Sequence, residues 1–147
     1  MEYLNNSFFH GYVRGFKRDA SGLITPFEGK NLVVNSGKAL IASLLAGEDD
    51  PISHVAIGSS NTVAAESHTA LIGTEHERVS ATVAAVDNVL SVSGEFGAGV
   101  TGDVSVAEFG LFNAASGGVM LARFTINPIT LESTSTINMT WTLQFGD

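Results

Sequence analysis

The sequence predicts a mainly β protein, an antiparallel β-sandwich or barrel-like domain carrying one short α-helix. Three observations carry that prediction. Apolar residues recur with a period of two in most segments, as they do on sheets with one wet and one dry face. Clusters of Asn, Asp, Ser and Gly punctuate those segments as turns. Only one stretch, about residues 37–46, shows helical spacing instead. With 147 residues the chain is long enough to bury about two-thirds of its unfolded surface without staples.

From the N-terminus, residues 8–17 (FFHGYVRGFK) place Phe8, His10, Tyr12, Arg14 and Phe16 on one parity and Phe9, Val13 and Lys17 on the other, as a strand would. Asp19-Ala20-Ser21-Gly22 turns the chain into residues 23–34, where Pro26 and Gly29 mark an edge strand or an arm. Four of the nine phenylalanines lie in the first 27 residues, more aromatic surface than one hairpin buries on itself. Leu40, Ile41, Leu44 and Leu45 then form one face of the helix, with Asn35 or Ser36 to cap it and Gly47 to end it. After the acidic loop Glu48-Asp49-Asp50-Pro51 comes a short buried strand at 52–57, a tight turn at 58–62 and a polar stretch to Gly73. Residues 75–86 alternate as one strand, and Asp87-Asn88 turns it into a second at 89–96. Val104 to Phe124 is a β-hairpin around Asn113-Ala114-Ala115-Ser116-Gly117-Gly118. In the last strand, residues 134–145, Ile137, Met139, Trp141, Leu143 and Phe145 alternate with Thr140, Thr142 and Gln144 along a core face. Seven or eight strands result, with no internal repeat.

Composition narrows the function classes. There is no cysteine, hence no disulfide framework, thiolate metal site or Cys nucleophile. A formal net charge of −8 argues against a nucleic-acid binder. No apolar run approaches a membrane span and no signal-peptide pattern opens the chain, so a soluble, unsecreted protein is expected. Charge is unevenly placed: residues 1–38 sum to +2 and residues 39–147 to −10, so the molecule is electrically polar and its basic end suits an acidic neighbour.

Motifs for catalysis or cofactors are weak. Gly97 to Gly102 (GAGVTG) matches the GxGxxG fingerprint letter for letter, but it runs into a strand rather than opening a helix, so nucleotide binding is not expected. His54, His68 and His76 do not match compact metal-ligand spacing, and no GxSxG occurs. No cofactor, metal or enzymatic activity is expected. Glu108 shares parity with Val104, Val106 and Phe112, which puts a carboxylate on an inward face where it needs a cation. Arg78 and Arg123 are the only basic residues beyond the N-terminal third, so Glu108 or Glu75 is expected to pair with one of them as a structural pin.

The segments NLVVNSGKALIASLLAG (31–47), ISHVAIGSS (52–60), ALIGTEHERV (70–79), VAEFGLFNAASGGVMLARF (106–124) and INMTWTLQF (137–145), in that order, resemble small virion structural proteins of tailed bacteriophages. The middle part is also similar to the N-terminal attachment domain of phage tail-collar fibres. The resemblance implies a virion protein, assembled in the bacterial cytoplasm, that binds the major capsid protein or tail and collar proteins, without nucleic acid or membrane as partner. With Asp147 ending the chain, a capsid decoration (cement) subunit is expected, and a tail or collar adaptor is the alternative. A homo-oligomer, a trimer by analogy with phage appendages, accompanies that reading. Residues 1–34 lie mostly outside the resemblance and are expected to form a docking arm on a core domain of residues 35–147. Its apolar anchors would be Phe8, Phe9, Tyr12, Phe16 and Phe27, with Arg14, Lys17 and Arg18 meeting acidic surface. A less favoured class is a carbohydrate- or receptor-binding sandwich in which Trp141 or Tyr12 stacks on a sugar.

Overall fold

Strand alternation and turn chemistry resolve, in the computed structural model, into two five-stranded antiparallel sheets packed face to face; the structure describes residues 9–146. The strands are β1 (Phe9–Arg18), β2 (Ile24–Lys30), β3 (Leu32–Val33), β4 (His54–Gly58), β5 (Glu75–Ser80), β6 (Thr82–Val86), β7 (Val89–Phe96), β8 (Val104–Phe112), β9 (Met120–Leu131) and β10 (Thr136–Phe145), with helix α1 (Asn35–Leu45) between β3 and β4. The first sheet runs β2-β1-β10-β7-β6 and the second β3-β9-β8-β4-β5. Val13, Val92, Phe96, Ile137, Met139, Trp141 and Leu143 from the first sheet meet Val55, Ile57, Val106, Phe109, Leu111 and Phe124 from the second. Phe109 is the aromatic hub, with ring centroids 5.2 Å from Phe27, 5.9 Å from Phe124 and 6.3 Å from Phe96.

The expected division into an arm and a core does not survive for the described part of residues 1–34. β1 pairs with β10 from Phe9↔Phe145 to Arg18↔Thr136, and Val13 has no exposed surface. A strand that shares all its length with the most regular strand of the sandwich is part of the core sheet. β2 does take the edge, where Pro26 costs no inner ladder bond.

Two further departures have local causes. Residues 75–86 alternate without interruption, yet they belong to two sheets: β5 pairs with β4 in the second, β6 with β7 in the first. The chain crosses at Ala81, whose N–H donates to the Ser53 carbonyl at 2.8 Å. Similarly, Asn31 separates β2 from β3, which accounts for ten strands among the described residues where seven or eight were expected. At α1, neither Asn35 nor Ser36 is the cap. Val34 holds that position without a side-chain bond, the Asn35 N–H donates to Glu66 O at 2.8 Å, and the Ser36 hydroxyl donates to Met120 O at 2.9 Å. The helix stop does follow the glycine: Gly47 has φ +71, its N–H donates to Leu44 O at 3.1 Å, and Glu48 N–H donates to Ser43 O at 2.9 Å. That pair of bonds is a Schellman motif, which needs a left-handed residue where Gly47 stands. Leu40 is buried, whereas Leu45, assigned to the same apolar face, is 87% exposed.

Candidate docking surface

The period of two in β1 sorts the expected anchor residues onto opposite faces. Phe9 and Phe27 point inward, Phe9 edge-on to Phe145 at 5.8 Å and Phe27 stacked on Phe109, so neither is an exposed anchor. Lys17 is also spent inside the molecule. Its ammonium donates to the Thr130 carbonyl at 2.9 Å and to Glu132 at 3.1 Å, with 13% of the side chain exposed. Phe8 lies outside the described residues. What remains is a stripe on the outer face of the first sheet: Tyr12, Arg14, Phe16 and Arg18. Arg14 lies 5.7 Å from the Tyr12 ring and pairs with Glu28 at 3.2 Å, and Arg18 lies 5.7 Å from the Phe16 ring. These aromatic–guanidinium contacts hold the cations on the surface without hiding them, since the Arg14 side chain is 74% exposed.

Register extends the stripe across the sheet. Tyr12 stands opposite Thr142, which faces Ser91; Arg14 opposite Thr140, which faces Ser93; Phe16 opposite Asn138, which faces Glu95. The result is a sheet face of aromatic rings, cations and short polar side chains. A shallow depression of about 510 Å³ in it is lined by Arg14, Phe16, Ser93, Glu95, Asn138 and Thr140. Ser93 and Thr140 hydroxyls lie 3.3 Å apart as a neutral pair. Such a face offers area, hydrogen bonds and a fixed pattern of charge, the ingredients of recognition.

The opposite face of the molecule is closed by its own loops. Glu108 and Arg123 are both fully buried and paired at 3.0 Å. A β-bulge between Val106 and Glu108 inverts the parity expected for this strand. Glu108 therefore leaves the inter-sheet core that Val106 faces and turns under the 59–74 loop. Its Oε2 accepts the Ser60 and Gly73 N–H groups at 2.9 and 2.7 Å, and its Oε1 accepts Ile72 N–H at 2.8 Å beside the Arg123 Nε–H. Arg123 completes the network by donating to Thr62 O at 2.6 Å and Ser60 O at 3.2 Å. Gly58 must be glycine here, because a Cβ on it would stand 2.8 Å from Glu108 Oε2. All three guanidinium nitrogens and both carboxylate oxygens make hydrogen bonds within the chain.

Arg78 plays a parallel part at the neighbouring edge. It forks onto Glu75 at 2.8 and 3.1 Å, donates to the Ala114 and Gly117 carbonyls at 3.0 and 2.9 Å, and lies 3.8 Å above the Phe112 ring. The glycine loop that resembles a dinucleotide fingerprint holds an internal anion instead. Gly97 and Gly99 N–H groups donate to the Glu77 carboxylate at 2.8 and 2.7 Å, tying β5 to the end of β7. His54, His68 and His76 each make separate hydrogen bonds, to Ser53, Ala65 and Ser105. Among the described residues no group of three or more His, Cys, Asp or Glu side chains is placed to hold a metal ion. Trp141 has no exposed surface and so offers no sugar platform, while Tyr12 is 36% exposed.

A groove that the sequence did not announce runs between α1 and β1, with a volume of about 830 Å³ and walls that include Tyr12, Lys30, Ile41, Leu45 and Gln144. The apolar stripe of α1 that includes Leu45 is its one sequence signal. Comparison with protein-family models, with curated proteins and with solved structures gives no match.

Proposed function

We propose that this protein is a structural subunit of a tailed-bacteriophage virion, a capsid decoration (cement) protein that seats on the head shell through the outer face of its first sheet. The observation that carries this reading is the stripe Tyr12-Arg14-Phe16-Arg18 on the outer face of the first sheet, set beside rows of Thr, Ser and Asn. Aromatic and arginine side chains concentrate binding energy at protein interfaces, and this stripe holds both without burying either in its own fold. The ordered set of phage-like segments supports the same class. The chemistry of the second sheet adds to it: Glu75, Glu77, Arg78, Glu108 and Arg123 fasten loops to strands. That is the investment of a rigid building block. The major capsid protein is the proposed partner, met on an acidic surface.

Cosedimentation of the purified chain with phage heads stripped of it tests the proposal. Saturable binding that Arg14→Glu and Phe16→Ser each weaken, with circular dichroism unchanged, is the expected result. Binding to tails and not to heads selects the collar-adaptor alternative, and binding to neither refutes the virion reading. Point substitutions on the outer face are the right perturbation, because deleting the N-terminal hairpin would remove β1 and β2 from the core sheet.

A further inference from the structure

A sheet edge is a row of unpaired backbone N–H and C=O groups, and three of the four edges in this sandwich are guarded. β2 carries Pro26, Glu28 and Lys30; β3 is two residues long; β5 carries Glu75, Glu77 and Arg78 and ends in a register irregularity against β4. These are the devices by which β proteins avoid edge-to-edge pairing. The fourth edge, β6, has none of them. Thr82-Val83-Ala84-Ala85-Val86 contains no charge, no proline and no glycine, all five residues are exposed, and β7 is its only strand partner among the described residues.

We infer that β6 is the self-association edge of this protein, pairing antiparallel with β6 of a second copy about a two-fold axis near Ala84. Charge selects that occupant. Two molecules of net charge −8 repel wherever acidic surfaces meet, and β6 brings backbone to backbone without an ionised group. Antiparallel pairing centred on Ala84 sets Thr82 opposite Val86 and Val83 opposite Ala85, and places the two Asp87 residues at opposite ends of the pair. The acidic β5 edges are kept apart as well. β5 packs over β7, with Val79 against Gly94, so β6 overhangs the second sheet. Three strand spacings then separate the two β5 edges, about 14 Å, more than the Debye length of about 8 Å in physiological salt. The overhang also explains the exposure of Val83, whose side chain is on the core-facing side of the first sheet and still 39% exposed, and which the pairing flanks with Ala85 of the second copy. Self-association at β6 would make one ten-stranded sheet, with two copies of the Tyr12 stripe on the same face, and it stands or falls independently of what that stripe binds.

The absence of cysteine makes the test direct. Sedimentation equilibrium of the full chain is expected to give twice the 15.3 kDa chain mass. The double substitution Val83→Lys, Val86→Lys, at exposed positions, is expected to give the single mass with an unchanged circular dichroism spectrum. Ala84→Cys is expected to crosslink two copies on mild oxidation, while Ala115→Cys in the β8–β9 turn does not. A wild-type monomer, a trimer mass, or a dimer that survives both lysines or fails to crosslink at Ala84 overturns the inference.

Discussion

Substituting Glu108 by glutamine changes one atom in a buried network, and the geometry sets what that costs. The two carboxylate oxygens receive four donors: Ile72 N–H and Arg123 Nε–H on Oε1, Ser60 and Gly73 N–H on Oε2. A glutamine offers one carbonyl oxygen, so whichever way its amide is turned, two of the four donors face an NH₂ group. Each lost bond to a charged group is worth about 1.5–3 kcal/mol, and the substitution also leaves the Arg123 guanidinium buried without its counter-ion. A destabilisation of about 3–6 kcal/mol follows, a large share of the 5–15 kcal/mol typical of a domain. Urea denaturation followed by the fluorescence of Trp141, the only tryptophan and fully buried, measures it through a shift in midpoint at constant slope. Arg123→Met should cost about 3–5 kcal/mol by stranding the carboxylate, partly relieved by its three backbone donors. If Glu108→Gln moves stability by less than about 1 kcal/mol, the loop is not held by this charge and the reasoning fails.

Three other perturbations follow from equally specific contacts. Gly37 in α1 lies against the backbone of β9, and a Cβ there would collide with the Leu121 carbonyl, so Gly37→Ala should cost about 1–3 kcal/mol and lower the urea midpoint. Glu77→Ala frees the Gly97 and Gly99 N–H groups, and limited proteolysis should then cut within residues 97–103 while the wild type resists. The Glu132 carboxyl is held below its ordinary 4.5, first by the Ser135 hydroxyl at 2.6 Å and also by Lys17. Because its folded value lies below the unfolded one, the unfolded chain binds the proton more readily; this stabilisation is present above pH 4.5 and is lost as pH falls through the folded value. Ser135→Ala should therefore flatten the acid limb of a stability–pH profile while a profile identical to wild type below pH 4.5 would contradict it.

Side-chain periodicity made the sandwich legible. In β10 the alternation of Ile137, Met139, Trp141 and Leu143 reports the buried face directly, and each is no more than 3% exposed. The same parity in β1 separates the inward Phe9, Val13 and Lys17 from the outward Tyr12, Arg14 and Phe16. What the pattern hides is any point where backbone departs from regular geometry without a glycine or proline to announce it. The bulge beside Ala107 turns Glu108 to the other face, and the crossing at Ala81 sends one continuous alternation into two sheets. The residues that fasten the 59–74 loop were hidden for another reason: Ser60, Ile72 and Gly73 act through peptide N–H groups, which every residue but proline possesses.

That distinction bears on where recognition can occur. Backbone donors at residues 60, 72, 73, 97 and 99 occupy the oxygens of carboxylates that the sequence shows as free acids, and the nitrogens of Arg78 and Arg123 are engaged inside the chain as well. The positive charge that remains presentable is therefore concentrated on the first sheet, around Arg14, which shares Glu28, and Arg18. Under the proposed function, a partner steered by charge would meet the cationic stripe, with the polar rows of Thr140, Ser93 and Asn138 to fix its register. The uncharged β6 edge lies on the far side of the same sheet, so pairing there leaves the stripe uncovered and duplicates it. Two stripes on one rigid sheet convert a modest contact into a bivalent one, with the second site engaged at high effective concentration. Shell binding should accordingly weaken when the β6 lysines are introduced, even though Val83 and Val86 lie outside the docking stripe. Unchanged binding by a monomeric lysine variant would separate the two surfaces and confine the role of β6 to solution.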